Sequence, residues 1–222
     1  MLGQTAATPG AAPPTSLRLV EEINHRVLNQ YCEAIATLSL AASGTGDDDA
    51  RGVLVQAADR LRDHAESHRA LLPPRADDQA NLAPYIGQVC RAFSRAALAD
   101  RKVELVLKTC DVMMPADDCW RLGLVVAELV RNAARHGLRG TGGEIGVHIS
   151  RQATLVHCLV RDNGRPPVRP VPGRGQDLIR SLVADLGGVV EWCFTPDGAA
   201  ALVQVPLRGS QVLGDNGDGR LK

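Results

Sequence analysis

A histidine in a polar segment near the N-terminus is the first residue whose setting suggests chemistry. His25 is followed by Arg26, and Glu22 and Asn29 lie three and four residues away, about one helical turn on either side. A neutral imidazole is a nucleophile near neutral pH. Glu22 could hold its tautomer or accept its proton, and Asn29 could orient a phosphoryl oxygen or a water. We therefore predict a nucleophilic histidine, with a surface or interface histidine as the alternative.

A second set of polar residues stands at the end of an apolar helical segment. Glu128 and Asn132 are four residues apart, and Arg135 and His136 follow three and four residues later, so a regular helix places them on one face. An amide oxygen is a hard ligand that suits Mg²⁺, which also takes phosphate oxygens and water. The spacing predicts a magnesium site at Asn132, with Glu128 ordering a metal-bound or attacking water. A solvated polar face is the other interpretation.

Two glycine-containing segments could complete a nucleotide site. Asp162-Asn163-Gly164 ends a strand-like segment; the aspartate can accept a hydrogen bond from an exocyclic amine such as that of adenine, and Gly164 lets a base approach the backbone. Gly173 and Gly175 open a helical segment, where free N–H groups and the helix dipole favour an anion. Each segment alone is also an ordinary turn. The order of these segments along the chain, and their distances from the polar segments around His25 and Asn132, favour a nucleotide site.

The elements that must position these residues change character near Leu72-Pro73-Pro74. Before that point, apolar stripes at helical spacing predict helices over 16–42 and 50–72, joined by a polar loop. His64 and His68 fall on the second stripe, where we expect packing rather than a metal site. Two such helices form an antiparallel hairpin. Because one hairpin leaves its stripe half uncovered, we expect a homodimer that pairs two hairpins into a four-helix bundle.

After Pro74, short strand-like and helical segments alternate. Helices segregated against a mostly antiparallel sheet give a two-layer α/β sandwich, so the predicted fold class of the chain is α+β. We expect the hairpin domain over 16–75, the sandwich domain over 76–207, and disordered tails over 1–15 and 208–222. The predicted helices are 82–99, 120–136 and 175–186, and the predicted strands are 103–107, 144–150, 154–161, 189–194 and 200–206.

The composition argues against several classes of protein. The formal net charge is zero and aromatic residues make up 3% of the chain, so neither nucleic acid nor an anionic membrane is an expected partner. The six cysteines form no CxxC pair, which argues against a zinc site and a secreted disulfide scaffold. Since there is no signal peptide and no apolar run of roughly 20 residues, we expect a cytoplasmic protein that receives its signal from an upstream sensor protein.

Taken in order, these segments resemble the transmitter core of sensor histidine kinases over roughly residues 16–207. Residues 22–29 resemble the phospho-acceptor box of variants in which arginine follows the histidine. Residues 128–137 resemble the N box of GHKL (Bergerat-type) ATPases, and residues 162–164 and 173–178 resemble their two glycine boxes. The N box, the proline-containing stretch after Gly164 and a short lid before Gly173 are similar to the HWE subgroup.

The resemblance implies an ATP-dependent protein-histidine kinase with Mg²⁺ as cofactor. His25 would be phosphorylated in a homodimer and would pass its phosphate to an aspartate of a response-regulator receiver domain. The residues implied in nucleotide binding are Asn132 for Mg²⁺, Asp162 for adenine, Gly173 and Gly175 for the phosphates, and Arg135, His136 and Gly164 around them. The chain departs from the family pattern at four positions: Val160 and Asp162 align with the tryptophan and glutamate that help name the subgroup, Pro166 replaces a glycine, and Leu28 replaces a lysine.

Two other functions fit the same segments. A histidine phosphotransferase with a degenerate nucleotide domain would shuttle phosphate between receivers, and Pro166 favours it because proline stiffens the adenine side and lacks an N–H. A GHKL-type anti-sigma switch that phosphorylates serine is the third possibility, and the histidine-bearing hairpin argues against it. Tight Mg-ATP binding with labelling of His25 would separate the kinase from the phosphotransferase.

Overall fold

The computed structural model describes residues 15–74, 78–98, 101–138, 142–165 and 173–207. The chain divides into two compact units, with the boundary between Leu72 and Pro73. The tails predicted over 1–15 and 208–222 lie outside the described residues, except that Thr15 already begins a helix. Of the helices in these ranges, none combines the length and the apolar character that crossing a bilayer requires.

The first unit, here called the hairpin, consists of helices α1 (Thr15–Gly44) and α2 (Asp48–Ala70). A short loop connects them, so the two helices run antiparallel and pack along each other, as predicted. Asp47 caps α2, because its Oδ1 accepts hydrogen bonds from the backbone N–H groups of Asp49 (2.9 Å) and Ala50 (3.2 Å). This cap explains why α2 begins before its predicted first residue.

Small side chains form the packed interior of the hairpin. Ala58 and Ala65 are 2% and 6% exposed, whereas His64, which the predicted stripe placed in the packing, is exposed. Alanines let two helices approach closely but remove little apolar surface from water. Among the hairpin side chains that the structure describes, five large apolar ones are exposed: Leu19, Ile23, Leu40, Val53 and Val55.

The second unit, here called the sandwich unit, combines helices with two sheets. Its α-helices within the described residues are α3 (Leu82–Phe93), α4 (Ala116–Asn132) and α5 (Arg174–Asp185). Its strands are β1 (Gln79–Asn81), β2 (Val103–Lys108), β3 (Met113–Pro115), β4 (Gly143–Gln152), β5 (Leu155–Asp162), β6 (Val189–Thr195) and β7 (Gly198–Pro206). Five strands form one sheet in the order β2-β4-β5-β7-β6, antiparallel except for the parallel pair β2–β4, and β1 pairs with β3.

One face of the large sheet carries the core. Because side chains alternate along a strand, Ile149, Cys158 and Val203, which are paired across β4, β5 and β7, point to the same side. All three are at most 1% exposed, and burial raises the pKa of the Cys158 thiol to about 12. Helix α4 supplies fully buried side chains to the same core, among them Leu122 and Val126.

The predicted fold class is confirmed, since N-terminal helices are followed by an α/β domain with a mixed sheet. Two features were not predicted. Strands β1 and β3 are three residues long, which is too short to show an alternating pattern. Helices α3 and α4 each continue into a π-helical turn, Ser94–Leu98 and Ala133–Gly137. A π-helical turn holds more residues than an α-helical one and shifts the helix faces that follow it.

Candidate functional site

The predicted phospho-acceptor segment lies in the first half of α1. Glu22, His25 and Asn29 are all exposed, and the Glu22 carboxylate accepts a hydrogen bond of 2.7 Å from the guanidinium of Arg26. Leu28, on the same helix, is 8% exposed. The helix therefore buries an apolar side chain at this position and presents the polar residues to solvent.

Helix α4 and the start of α5 bring three predicted site residues together. A methyl group added to Gly175 would overlap Oε1 of Glu128 and would lie 3.5 Å from the side-chain nitrogen of Asn132. Glu128 and Asn132 share one face of α4 because they are four residues apart, and the Glu128 side chain is 14% exposed. Glycine at position 175 is what lets the start of α5 lie against this polar face.

Asp162 ends strand β5 and is held by backbone donors. Its Oδ1 accepts a hydrogen bond of 2.9 Å from the N–H of Gly164, and the N–H of Ala199 donates to the same carboxylate. Burial raises the pKa of Asp162 above its usual value, and the two backbone hydrogen bonds offset part of that rise. Above that pKa, Asp162 is a fixed hydrogen-bond acceptor.

Glycines bring three backbone segments into contact around Asp162. A methyl group at Gly164 would overlap the carbonyl of Gly137, and one at Gly137 would overlap the Asp162 carboxylate. The N–H of Arg165 donates to the Gly137 carbonyl at 3.0 Å. At Gly198, where φ is +147°, a methyl group would overlap the carbonyl oxygen of Asp162. The π-helical turn after α4, the end of β5 and the β6–β7 turn therefore meet at this carboxylate.

The remaining predicted nucleotide contacts lie in two further settings. Arg135 and His136 are exposed and belong to the π-helical turn, where the N–H of Leu138 donates to the carbonyl five residues before it at 3.0 Å. Their predicted position on the polar face of α4 assumed a regular α-helix, and the π-helical turn changes that phase. Gly173 is the exposed N-cap of α5, and no described atom lies within 4 Å of a methyl group added there. The roles of these three residues stay predictions.

Three residues that support Asp162 were not singled out from the sequence. Gly198 and Ala199 begin β7, and the composition at 195–198 indicated only a hairpin turn. That this turn reaches Asp162 follows from the pairing of β5 with β7, which the sequence does not specify. Asn163 ties β5 to β4, because its Oδ1 accepts from the N–H of Glu144 (2.8 Å) and its own N–H donates to the Glu144 carbonyl (3.2 Å).

The arrangement offers an acceptor for a base and, at the start of α5, backbone donors for an anion. The first N–H groups of a helix have no partner within it, so the start of α5 can receive an anion, and Asn132 beside it can offer an amide oxygen to a cation. Within the described ranges, no group of three or more His, Cys, Asp and Glu side chains could hold a metal ion. A hard cation bound partly through phosphate oxygens fits such a donor set. Pro166 and the predicted lid between Val168 and Gly173 lie outside the described residues.

Comparison with known protein families matches the two motif regions separately. The family described as "Histidine kinase" matches residues 22–97, which include His25. The family described as "Histidine kinase-like ATPase domain" matches residues 86–190, which include Asn132 and Asp162. Together the two matches support a histidine kinase core over residues 22–190. Membership of the HWE subgroup stays a prediction.

Individual relatives agree with these matches. The sensor histidine kinase PdtaS of Mycolicibacterium smegmatis is 28% identical over 205 residues, covering 86% of this chain and 41% of that protein. The blue-light-activated histidine kinase 1 of Erythrobacter litoralis is 24% identical over 208 residues, covering 87% of this chain and 54% of that protein. The chain spans about half the length of these relatives or less.

A solved structure shares the fold. The histidine kinase domain of the Erythrobacter litoralis EL346 blue-light-activated histidine kinase superposes with a TM-score of 0.56 at 20% sequence identity. The superposition covers 79% of this chain and 96% of that domain. At this identity the similarity is one of fold, and it includes the sequence of helices followed by a sheet domain.

Proposed function

We propose that this chain is the core of an ATP-dependent protein-histidine kinase of a two-component system. It would phosphorylate His25 and pass the phosphoryl group to an aspartate of a response-regulator receiver domain. One observation carries the proposal: Glu128, Asn132 and Gly175, selected from the sequence for a magnesium and phosphate site, lie against one another in the folded sandwich unit. This contact between two segments that are distant in sequence supports the proposal.

In this proposal Asp162 recognises the adenine base. The carboxylate is held by the N–H groups of Gly164 and Ala199 and would accept a hydrogen bond from the exocyclic amine of adenine. Gly164 carries no side chain that would block the approach of a flat base. Because a protonated carboxyl group is a poorer acceptor, binding would require a pH above the raised pKa of Asp162.

The phosphates and Mg²⁺ would lie between α4 and the start of α5. Asn132 would hold Mg²⁺, which when bound neutralises charge on the transferring phosphoryl group. At the glycine pair Gly173 and Gly175, the backbone N–H groups of Arg174 and Gly175 would donate to phosphate oxygens, and Glu128 would order a water at the metal. Arg135 and His136, both exposed in the π-helical turn, would contact the nucleotide from the end of α4.

His25 would act as the nucleophile. A neutral ring nitrogen would attack the γ-phosphorus, the bond between that phosphorus and the ADP oxygen would break, and the ring proton would pass to Glu22. Asn29 would orient a phosphoryl oxygen. The exposure of all three residues fits this role, because an ATPase domain and a receiver domain must both reach the same histidine.

A homodimer formed through the hairpin is part of the proposal. The exposed fractions of Leu19, Ile23, Leu40, Val53 and Val55 lie between 46% and 76%. Covering each of them would contribute about 1 kcal/mol, and a four-helix bundle made from two hairpins would provide that cover. Light scattering should then give twice the chain mass of 23.6 kDa, and a monomer at micromolar concentration would contradict this part of the proposal.

Incubation with γ-labelled Mg-ATP tests the kinase directly. The wild-type chain should acquire acid-labile label, and both His25→Ala and Asn132→Ala should remove it. Only Asn132→Ala should also weaken nucleotide binding, and only in the presence of Mg²⁺, because His25 lies outside the nucleotide site. A wild-type chain that binds Mg-ATP but stays unlabelled would contradict the kinase.

Pro166 favours a second candidate, a histidine phosphotransferase whose ATPase domain no longer binds nucleotide. By the resemblance described above, the proline replaces a glycine of the glycine box, and it removes a backbone N–H from that stretch. Such a protein would take phosphate from one receiver domain and donate it to another through His25. Failure to bind Mg-ATP, combined with labelling of His25 by a phosphorylated receiver, would establish this function instead.

A further inference from the structure

Arg131 contacts Glu128, and neither the sequence analysis nor the proposed function gives it a role. Its Nη1 donates to Oε2 of Glu128. The other carboxylate oxygen, Oε1, is the atom that a methyl group at Gly175 would overlap. The two oxygens of Glu128 therefore have different neighbours, Arg131 on one and the start of α5 on the other.

A second contact holds Arg131 in place. Its guanidinium carbon lies 5.6 Å from the centroid of the Phe93 ring, which is 6% exposed at the end of α3. A guanidinium over an aromatic face is stabilised by the ring quadrupole. The Arg131 side chain is 50% exposed, whereas that of Glu128 is 14% exposed. The contact with Phe93 therefore gives a half-exposed arginine a second partner beside Glu128.

A carboxylate this little exposed needs a counter-charge if it lies beside a phosphate site. Like charges repel more strongly where water is partly excluded. An unpaired Glu128 would repel the phosphates that Asn132 and the start of α5 are proposed to receive. Arg131 contacts Oε2 and thereby offsets the negative charge of the carboxylate. Oε1 stays directed at the start of α5.

We propose that Arg131 is a positioning residue that acts through Glu128. It neutralises the carboxylate and fixes its orientation, so that Mg-ATP binds next to Glu128 and this residue can order water there. The inference rests on the proposed nucleotide-binding function. Arg131 acts on Glu128 and not on the nucleotide itself.

A double-mutant cycle on the full chain tests this role. Calorimetric titration with Mg-ATP is compared for the wild type, Arg131→Met, Glu128→Gln and the double variant. Arg131→Met should weaken binding roughly threefold to tenfold in the wild-type background. In the Glu128→Gln background the same change should alter binding by less than about twofold, because no carboxylate charge is left to offset. In the labelling assay, Arg131→Met should raise KM by a larger factor than it lowers kcat.

Arg180 offers a matched control. It pairs with Asp177 three residues before it, and its guanidinium carbon lies 4.8 Å from the ring centroid of Trp192, so the two arginines have the same kinds of contact. Arg180→Met should leave Mg-ATP binding unchanged. Arg131→Lys keeps the charge without the planar fork and should show an intermediate loss. This variant also keeps the cycle measurable if Arg131→Met melts at a lower temperature.

The outcomes separate this inference from the proposed function. A wild-type chain that does not bind Mg-ATP removes both. Wild-type binding together with unchanged binding by Arg131→Met removes only the role of Arg131. An equal loss in the wild-type and Glu128→Gln backgrounds would show that Arg131 acts directly on the nucleotide or on the fold, and its role through Glu128 would be wrong.

Discussion

The proposed acceptor segment on the hairpin and the proposed nucleotide pocket around Asp162 in the sandwich unit place their candidate residues in opposite environments. On α1, the side chains of Glu22, His25 and Asn29 are all exposed, and Glu22 pairs with Arg26 on the surface of the same helix. Around Asp162, backbone segments approach so closely that glycines are required. An exposed residue of α1 can be substituted without disturbing the fold, whereas a residue beside Asp162 is part of the packing.

The proposed function would account for this difference. An acceptor histidine must be reached in turn by an ATPase domain and by a receiver, so it has to remain on the surface. A nucleotide pocket must hold a base and phosphates in fixed positions, which requires donors and acceptors that do not move. Substitutions that place a new group against the backbone of the pocket should therefore lower stability and binding together, and substitutions on the acceptor segment should have little effect on stability.

Gly164→Ala should break the pocket most severely. The added methyl group would overlap the backbone carbonyl of Gly137, and a backbone obstacle cannot rotate away. We expect a loss of about 2–3 kcal/mol in the free energy of unfolding and loss of Mg-ATP binding. Urea unfolding followed by tryptophan fluorescence reports on the sandwich unit alone, because Trp120 and Trp192 both lie there.

Gly173→Ala is the matched control for that prediction. Among the described residues nothing lies within 4 Å of a methyl group at Gly173, and its φ of −120° suits any residue. We expect a loss of about 0.5–1 kcal/mol, which reflects the weaker helix-capping preference of alanine. Equal losses from the two substitutions would show that tight backbone packing does not define the pocket.

Gly175→Ala should have the next largest effect, chiefly on binding. Here the methyl group meets Oε1 of Glu128, a side-chain atom that can move aside, so the free energy of unfolding should change by less than about 1 kcal/mol. Displacing Glu128 disturbs the proposed phosphate site, and Mg-ATP affinity should fall by about tenfold. Calorimetric titration beside the same urea unfolding experiment checks both values. A stability loss as large as that of Gly164→Ala would contradict the distinction between backbone and side-chain obstacles.

The comparison also explains which parts of the site the sequence could predict. Glu128 and Asn132 lie on one helix, and the start of α5 has its own local signal, so spacing and glycines were sufficient to select them. The support of Asp162 by Ala199 depends on how β5 and β7 pair, and that pairing involves residues distant in sequence. The sequence therefore predicted the side chains of the candidate site but not the backbone groups that hold Asp162.

The fold shows the same limit. Amphipathic segments identified both helices of the hairpin and all five strands of the large sheet, because their periodicity extends over several residues. The strands β1 and β3 are too short for periodicity to show. The π-helical turn at Ala133–Gly137 has no pattern of its own and arises where the end of α4 meets the end of β5. Local signals therefore predict elements, and contacts between elements decide their ends.

Asp162→Asn should separate binding from stability within the pocket. Burial raises the pKa of Asp162, so the ionised carboxylate is less favourable in the folded chain than in the unfolded one. The protonated Asp162 side chain contributes stability that is fully present below its pKa in the unfolded chain. This contribution is lost as the pH rises through its pKa in the folded chain. At pH 7 the variant should be more stable than the wild type, by less than about 1 kcal/mol because solvent screens a partly buried group.

Nucleotide binding should change in the opposite direction in the same variant. Loss of the charged acceptor should weaken Mg-ATP binding by about tenfold. Thermal melting between pH 4 and pH 8 should show the stability difference shrink toward acid, where Asp162 becomes protonated in the wild type as well. A variant that is less stable than the wild type at pH 7 would mean that the two backbone hydrogen bonds outweigh the cost of burial.

Arg26→Met should have the smallest effect and gives the sharpest comparison with Arg131→Met. Both arginines pair with a glutamate on their own helix, but the side chains of the Arg26–Glu22 pair are 75% and 58% exposed, whereas Glu128 in the other pair is 14% exposed. An exposed pair contributes about 0.2–0.5 kcal/mol. The free energy of unfolding, from thermal melting followed by circular dichroism, should change within that range. The labelling rate should stay within about threefold of the wild-type rate, because water replaces the guanidinium at Glu22. If Arg26→Met instead reduced labelling as strongly as Arg131→Met reduces binding, exposure would not be what distinguishes the acceptor segment from the pocket.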